Sequence, residues 1–152
     1  MEFPLTLVTA FTIVLVLNAL WFGVGFRYFS LTPNTAAKLL VPVSARQSPL
    51  FPTIAASVRF LGGMNFAFAA FSVLLLLNGA LFPEPAQRAL FAAVFSLAHA
   101  SQFAANVPVA MGGGRVGESF WPVLSGPMFF IFVVDITLMV ANGVLAVVLL
   151  GP

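Results

Sequence analysis

Leu5–Phe26 reads LTLVTAFTIVLVLNALWFGVGF, with no charged residue from one end to the other. At a rise of about 1.5 Å per residue, a helix of this length reaches about 30 Å, the hydrocarbon thickness of a bilayer. Its one strongly polar side chain is Asn18. The segment opens after Glu2 rather than after a basic stretch, and its apolar core is longer than that of a secretory signal. The expectation is therefore a retained span.

Three further segments are also long and mostly apolar: Ile54–Asn78, Gln87–Val107 and Pro127–Leu150. Backbone groups in hydrocarbon must be paired within the segment, so each is expected to be helical. The short-period alternation of a lipid-facing β-barrel is absent from the sequence. The fold class expected is all-α, an integral membrane four-helix transmembrane bundle, with residues 1–152 forming a single transmembrane domain.

Composition agrees. Of 152 residues, 61% are hydrophobic and 7% charged, against about 25% charged in soluble domains. So few charges could not cover a water-soluble surface, and membrane lipids are the first expected partner. No basic cluster exists to neutralise a run of phosphates, so no nucleic-acid partner is expected. The chain has no cysteine, which excludes disulfides, thiolate metal sites and a cysteine nucleophile.

Arg27, Lys38 and Arg46 follow the first span and Arg115 follows the third, while only Arg88 lies on the opposite side. The positive-inside bias then puts both longer connections in the cytoplasm and both termini on the non-cytoplasmic side. Trp21, Tyr28 and Trp121 fall near that same cytoplasmic face, where amphipathic rings favour the headgroup zone.

The connections differ in chemistry. NGALFPEPAQ, Asn78–Gln87, reads as a tight hairpin with Pro85 in the first turn of the next helix. Within Arg27–Pro52, the stretch Asn34–Val41 is expected to form a short interfacial amphipathic helix capped by Asn34 or Thr35. The glycine-rich segment Ala110–Pro127 reads as a flexible loop. Its GGGRVG lacks the preceding strand and the Gly-Lys-Ser/Thr of a phosphate cradle.

The chemistry-bearing residues lie inside the spans. Span one carries Asn18, span two Arg59 and Asn65, span three His99, Gln102 and Asn106, and span four Asp135 and Asn142. An ionisable group in hydrocarbon costs about 2.5–3.5 kcal/mol on insertion scales, so each calls for a partner or a purpose. Ser96, His99, Gln102 and Asn106 recur at helical spacing and form one stripe. Arg59, Gly62, Gly63 and Phe66 share a face of span two, where small residues admit a neighbouring backbone. Asp135, Leu138, Met139 and Asn142 make a stripe on span four.

Counted at about 1.5 Å per residue, Asn18, His99 and Asp135 each lie roughly 12–14 Å from the basic side, and Arg59 about 7–8 Å. The expectation is a polar layer drawn from all four helices: Asn18, Arg59, Asn65, His99, Gln102 and Asp135. Its plainest reading is structural. An Arg59–Asp135 ion pair would fix helix neighbours, and a neutral His99 would bond to Asn18, Gln102 or a backbone carbonyl.

The sharper reading makes His99 and Asp135 a general acid–base pair, with Arg59 anchoring an anion. No metal site is expected, because one histidine lacks companions. No cofactor is expected either, though a single axial bond from His99 to a pigment or haem stays open.

ASVRFLGG (Ala56–Gly63), PEP (Pro83–Pro85) and FSLAH (Phe95–His99) resemble two groups of small membrane proteins. These are the four-span DoxX-like bacterial proteins and the ergosterol-biosynthesis scaffold family, which tethers sterol-demethylating enzymes. The resemblance covers Ala56–Asn106 and rests on Arg59, Gly62, Glu84, Pro85 and His99. Where the scaffold family has an acid soon after the histidine, this chain has Gln102 and Phe103. The resemblance implies a non-catalytic organiser or lipid binder.

The leading functional expectation is an accessory or scaffold subunit that packs beside other membrane proteins, associates with itself, or binds an apolar ligand. The alternatives are an integral-membrane enzyme acting on a lipid, isoprenoid or quinone, and a small transporter or channel subunit.

Overall fold

The computed structural model describes residues 5–117 and 119–151. Four long helices, α1 (Leu5–Phe26), α3 (Phe51–Leu77), α4 (Pro85–Met111) and α5 (Gly126–Leu150), are joined by connections that include a short helix, α2 (Pro33–Leu40). The four long helices are each long and apolar enough to cross a membrane. The expected all-α transmembrane bundle is thus the observed architecture, with span ends displaced by only a few residues.

The chain runs up and down, so the bundle has two distinct ends. The hairpin end holds the start of α1, the 3₁₀ turn Gly79–Leu81 and the start of α4. Pro85 occupies the first turn of α4, and Gln87 Oε1 accepts the backbone N–H of Glu84 at 3.3 Å. That satisfies a donor which the helix start would otherwise leave open. The loop end holds α2 and the α4–α5 connection.

At the loop end, α1 continues into a wider π-helical turn, Arg27–Leu31. It carries Ser30 onto Gly62 of α3, where a side chain at position 62 would meet both the hydroxyl and the backbone nitrogen of Ser30. Gly63 has open space around it. Only one of the two adjacent glycines therefore serves a close approach.

The expected interfacial helix exists as α2, but its start differs. Pro33 fills the first turn, Thr32 precedes it, and neither Asn34 nor Thr35 caps it. The Thr32 hydroxyl instead donates to Tyr28 O at 3.0 Å. Ala36 and Ala37 face the bundle while Lys38 is exposed. Arg46 folds back to donate to Val41 O and Lys38 O at 3.0 and 2.8 Å, satisfying carbonyls at the C-terminal end of α2.

The glycine-rich connection, expected as a loop, contains a short stretch of regular structure. Arg115–Val116 and Ser119–Phe120 pair as a two-residue antiparallel ladder. Gly114 has φ of 84°, and a Cβ there would also meet Trp121 O, so the turn into the ladder depends on glycine.

Helices α1 and α3 form one closely packed pair and α4 and α5 the other, with α1 also touching α5. Small residues allow the close approaches. Gly143 of α5 sits against Ser96 of α4, whose hydroxyl donates to Met139 O at 2.9 Å. By contrast, α3 and α4 meet through rings: Phe71 is edge-on to Phe91 and stacks with Phe95. The hairpin-end core, with Phe11, Leu15, Leu75 and Leu145, is continuous with this slab. Leu, Val and Phe side chains cover the exposed outer faces of all four long helices, as a lipid-facing surface requires.

Candidate functional site

Asn18, His99, Asp135 and Asn142 are fully or almost fully buried and meet between α1, α4 and α5. His99 Nδ1 lies 3.1 Å from Asp135 Oδ1, and Nε2 lies 3.0 Å from Asn18 Oδ1. Asn18 and Asn142 bond reciprocally: Asn18 Nδ2 donates to Asn142 Oδ1 at 3.0 Å and Asn142 Nδ2 to Asn18 Oδ1 at 3.1 Å. Trp21 Nε1 donates to Asp135 Oδ1 at 3.0 Å. Phe22 covers one face of the imidazole, the rings stacked at 4.7 Å.

The hydrogens in this layer can be placed by elimination. Leu138 O accepts from Asn142 Nδ2 at 2.8 Å, and a backbone carbonyl can only accept. That orients the Asn142 amide, which in turn makes Asn18 Oδ1 an acceptor. His99 Nε2 faces this acceptor, so it carries a hydrogen. The Nδ1–Oδ1 contact then holds one further hydrogen between the ring and the carboxyl group. Whichever atom carries it, His99 and Asp135 together have no net charge, which suits a pair buried in hydrocarbon. Asp135 Oδ2 is the one buried oxygen of the layer without a hydrogen-bond partner.

The layer departs from the expected one in α3. Arg59 is exposed on the outside of the bundle, and among the described residues Asp135 pairs with His99 and not with Arg59. The buried face of α3 runs through Ala55, Val58, Gly62, Asn65 and Ser72. Arg59 sits just beside that seam. The face expected from Arg59, Gly62, Gly63 and Phe66 is accordingly rotated, and only Gly62 of the four is buried. Asn65, expected in the layer, and Asn106, expected on the His99 stripe, donate to the i−4 carbonyls of Leu61 and Gln102, both at 2.8 Å. Asn142 does bridge helices. Trp21, expected at the headgroup level, directs its N–H inward.

Gln102 and Asn65 line a cavity of about 260 Å³ at the loop end. Gln102 is one turn beyond His99, and Ile131, another wall residue, is one turn before Asp135. Trp21 contributes to both places, since its ring faces the cavity while its N–H holds Asp135. Leu39 of α2 closes part of the cavity, and Val24 stands at its exposed rim. Sequence reasoning found Gln102 and Asn65 as polar residues within spans. It could not find the cavity, whose walls come from all four long helices together with α2 and the turn after α1.

The geometry limits the chemistry of His99. Both ring nitrogens are engaged by side chains and the residue is fully buried. A substrate proton or a haem iron would reach it only by displacing Asn18 or Asp135. No group of three or more His, Cys, Asp or Glu suited to a metal ion occurs among the described residues. The layer is closed by bonds between its own members, unlike the lining of a hydrated path.

No protein-family model, curated protein or solved structure matches the chain.

Proposed function

We propose that the protein is a non-catalytic intramembrane binder of a lipophilic molecule, acting as an accessory component of its membrane. The observation that carries this reading is the loop-end cavity. It is walled mainly by apolar and aromatic side chains, with Gln102, Asn65 and Tyr28 among them. Few polar groups in an apolar cleft between helices is the usual character of a small-molecule site. The polar layer forms the rigid floor of this site, because Trp21 is held in place by Asp135.

An acid–base role for His99 and Asp135, with Arg59 as an anion anchor, finds less support, since the imidazole is saturated and Arg59 lies outside. A binder or organiser is also what the resemblance of Ala56–Asn106 implies. Arg27, Lys38, Arg46 and Arg115 all belong to the loop-end connections, and by the positive-inside bias the cavity opens in the cytoplasmic half of the bilayer with both termini on the other side.

The test is gentle purification followed by native mass spectrometry. A lipophilic molecule bound to the wild type and lost in Val24→Phe, which narrows the rim, is the expected result. Retention of the same molecules by both proteins would place binding elsewhere and overturn the reading.

A further inference from the structure

We infer that the ligand of the loop-end cavity is an uncharged ring compound bearing a hydroxyl or carbonyl head, and not a phospholipid headgroup or other ion. This rests on the reading of the cavity as a ligand site and adds the ligand's chemical class.

Charge comes first. No Lys, Arg, Asp, Glu or His lines the cavity. Arg27 and Lys38 adjoin the lining residues Tyr28 and Leu39 in the chain but are exposed, and His99 and Asp135, one turn deeper, are already paired with each other. An ionic head would enter a low-dielectric cleft with no counter-charge, which is strongly unfavourable.

The hydrogen-bonding inventory comes next. Gln102 and Tyr28 have no side-chain hydrogen bond among the described residues. The Gln102 amide therefore offers the cavity both a donor and an acceptor, and the Tyr28 hydroxyl does the same. A neutral hydroxyl or carbonyl matches either group, whereas a wholly apolar ligand leaves the amide unmet.

Shape supplies the ring. Trp21, Tyr28, Phe29 and Phe130 all border the space, and Trp21 and Phe130 meet edge-to-face at 5.7 Å, a geometry that leaves flat surfaces for stacking. An apolar protein cavity of about 150 Å³ holds one benzene. The present volume of about 260 Å³ accommodates a fused two-ring head.

The experiment uses the full chain in lipid nanodiscs and three probes that share one ring system: 2-naphthol, naphthalene and 2-naphthoate. Equilibrium dialysis against empty discs gives the probe bound beyond lipid partitioning. We expect 2-naphthol to bind about tenfold tighter than either of the others, the scale of one buried hydrogen bond. Gln102→Met, close in shape, should bring 2-naphthol to the level of naphthalene, and Val24→Phe should abolish protein-specific binding of all three. Equal binding of naphthalene and 2-naphthol, both lost in Val24→Phe, would overturn the head-group inference and leave the cavity reading standing. Tighter binding of 2-naphthoate would overturn it as well. No binding of any probe above empty discs would overturn the cavity reading itself. The three-probe comparison in the wild type decides the matter even if Gln102→Met fails to fold.

Discussion

Asn18 makes more interhelical hydrogen bonds than any other residue of the polar layer, and replacing it gives a quantitative test of what the layer contributes. Asn18→Leu keeps the volume roughly constant but removes three interhelical hydrogen bonds, one from His99 and two shared with Asn142. Bonds between membrane helices average about 0.6 kcal/mol each, which sets a floor of about 2 kcal/mol. The change also leaves His99 Nε2–H and Asn142 Oδ1 buried without partners, at about 1–3 kcal/mol per group. We expect a loss of at least about 3 kcal/mol after partial relaxation. Reversible unfolding in mixed micelles, followed by helicity across an SDS titration, measures it. If the layer acts as structure, making it apolar throughout (Asn18→Leu with Trp21→Phe, His99→Phe, Asp135→Leu and Asn142→Leu) should recover most of that loss, because neither the Trp21 N–H that Asp135 accepts nor any other polar group of the layer is then left unpaired. A cost below about 1 kcal/mol for Asn18→Leu alone would refute the hydrogen-bond assignment, since orphaned groups at full burial cannot be that cheap.

Arg59→Gln should change stability by no more than about 0.5 kcal/mol in the same titration, as expected of an exposed side chain; a loss of several kcal/mol would restore a buried partner for it. Gly62→Leu forces a side chain onto Ser30 and should cost about 1–3 kcal/mol. Gly63→Ala, one residue on with open space, should gain about 0.5–1 kcal/mol from reduced backbone entropy in the unfolded chain. A reversal of that order would mean that the α1–α3 contact is misplaced. The natural absence of cysteine makes topology easy to read: with a membrane-impermeant maleimide, Ala80→Cys and Ser125→Cys, both at exposed positions, should label from opposite sides, the hairpin from the non-cytoplasmic one. Labelling of both from one side would contradict the number of crossings between them.

The spans were legible because length and apolarity alone decide whether a helix can cross a bilayer. The stripe from Ser96 through His99 to Asn106 was legible too, because i, i+3 spacing fixes which residues of one helix share a face. Placing Asn18, His99 and Asp135 at one level needed only the rise per residue and antiparallel neighbours. What linear spacing does not supply is rotation between helices. Arg59 is four residues from Ala55 and three from Gly62, so its spacing suits the buried face of α3 almost as well as that of Val58. The packing of Ser30 onto Gly62 selects the other solution.

The position of Trp21 near a span end suits the headgroup zone. Its N–H reaches inward because Asp135 lies within bonding distance on α5, a relation across helices that no local pattern carries. Asn142 was recognised as a stripe member, but its amide pairing with Asn18 depends on the same relation. The cavity has no sequence signature, since its walls are gathered from segments far apart in the chain.

His99 is the only histidine of the chain, so histidine-selective ¹⁵N labelling in lipid yields the signals of this one ring. Solid-state NMR of that sample tests the sealed layer most directly. The expected result is a hydrogen on Nε2 that is coupled to the Asn18 side chain and protected from exchange with solvent. A ring that exchanges freely with water, or whose Nε2 lies far from Asn18, would contradict it.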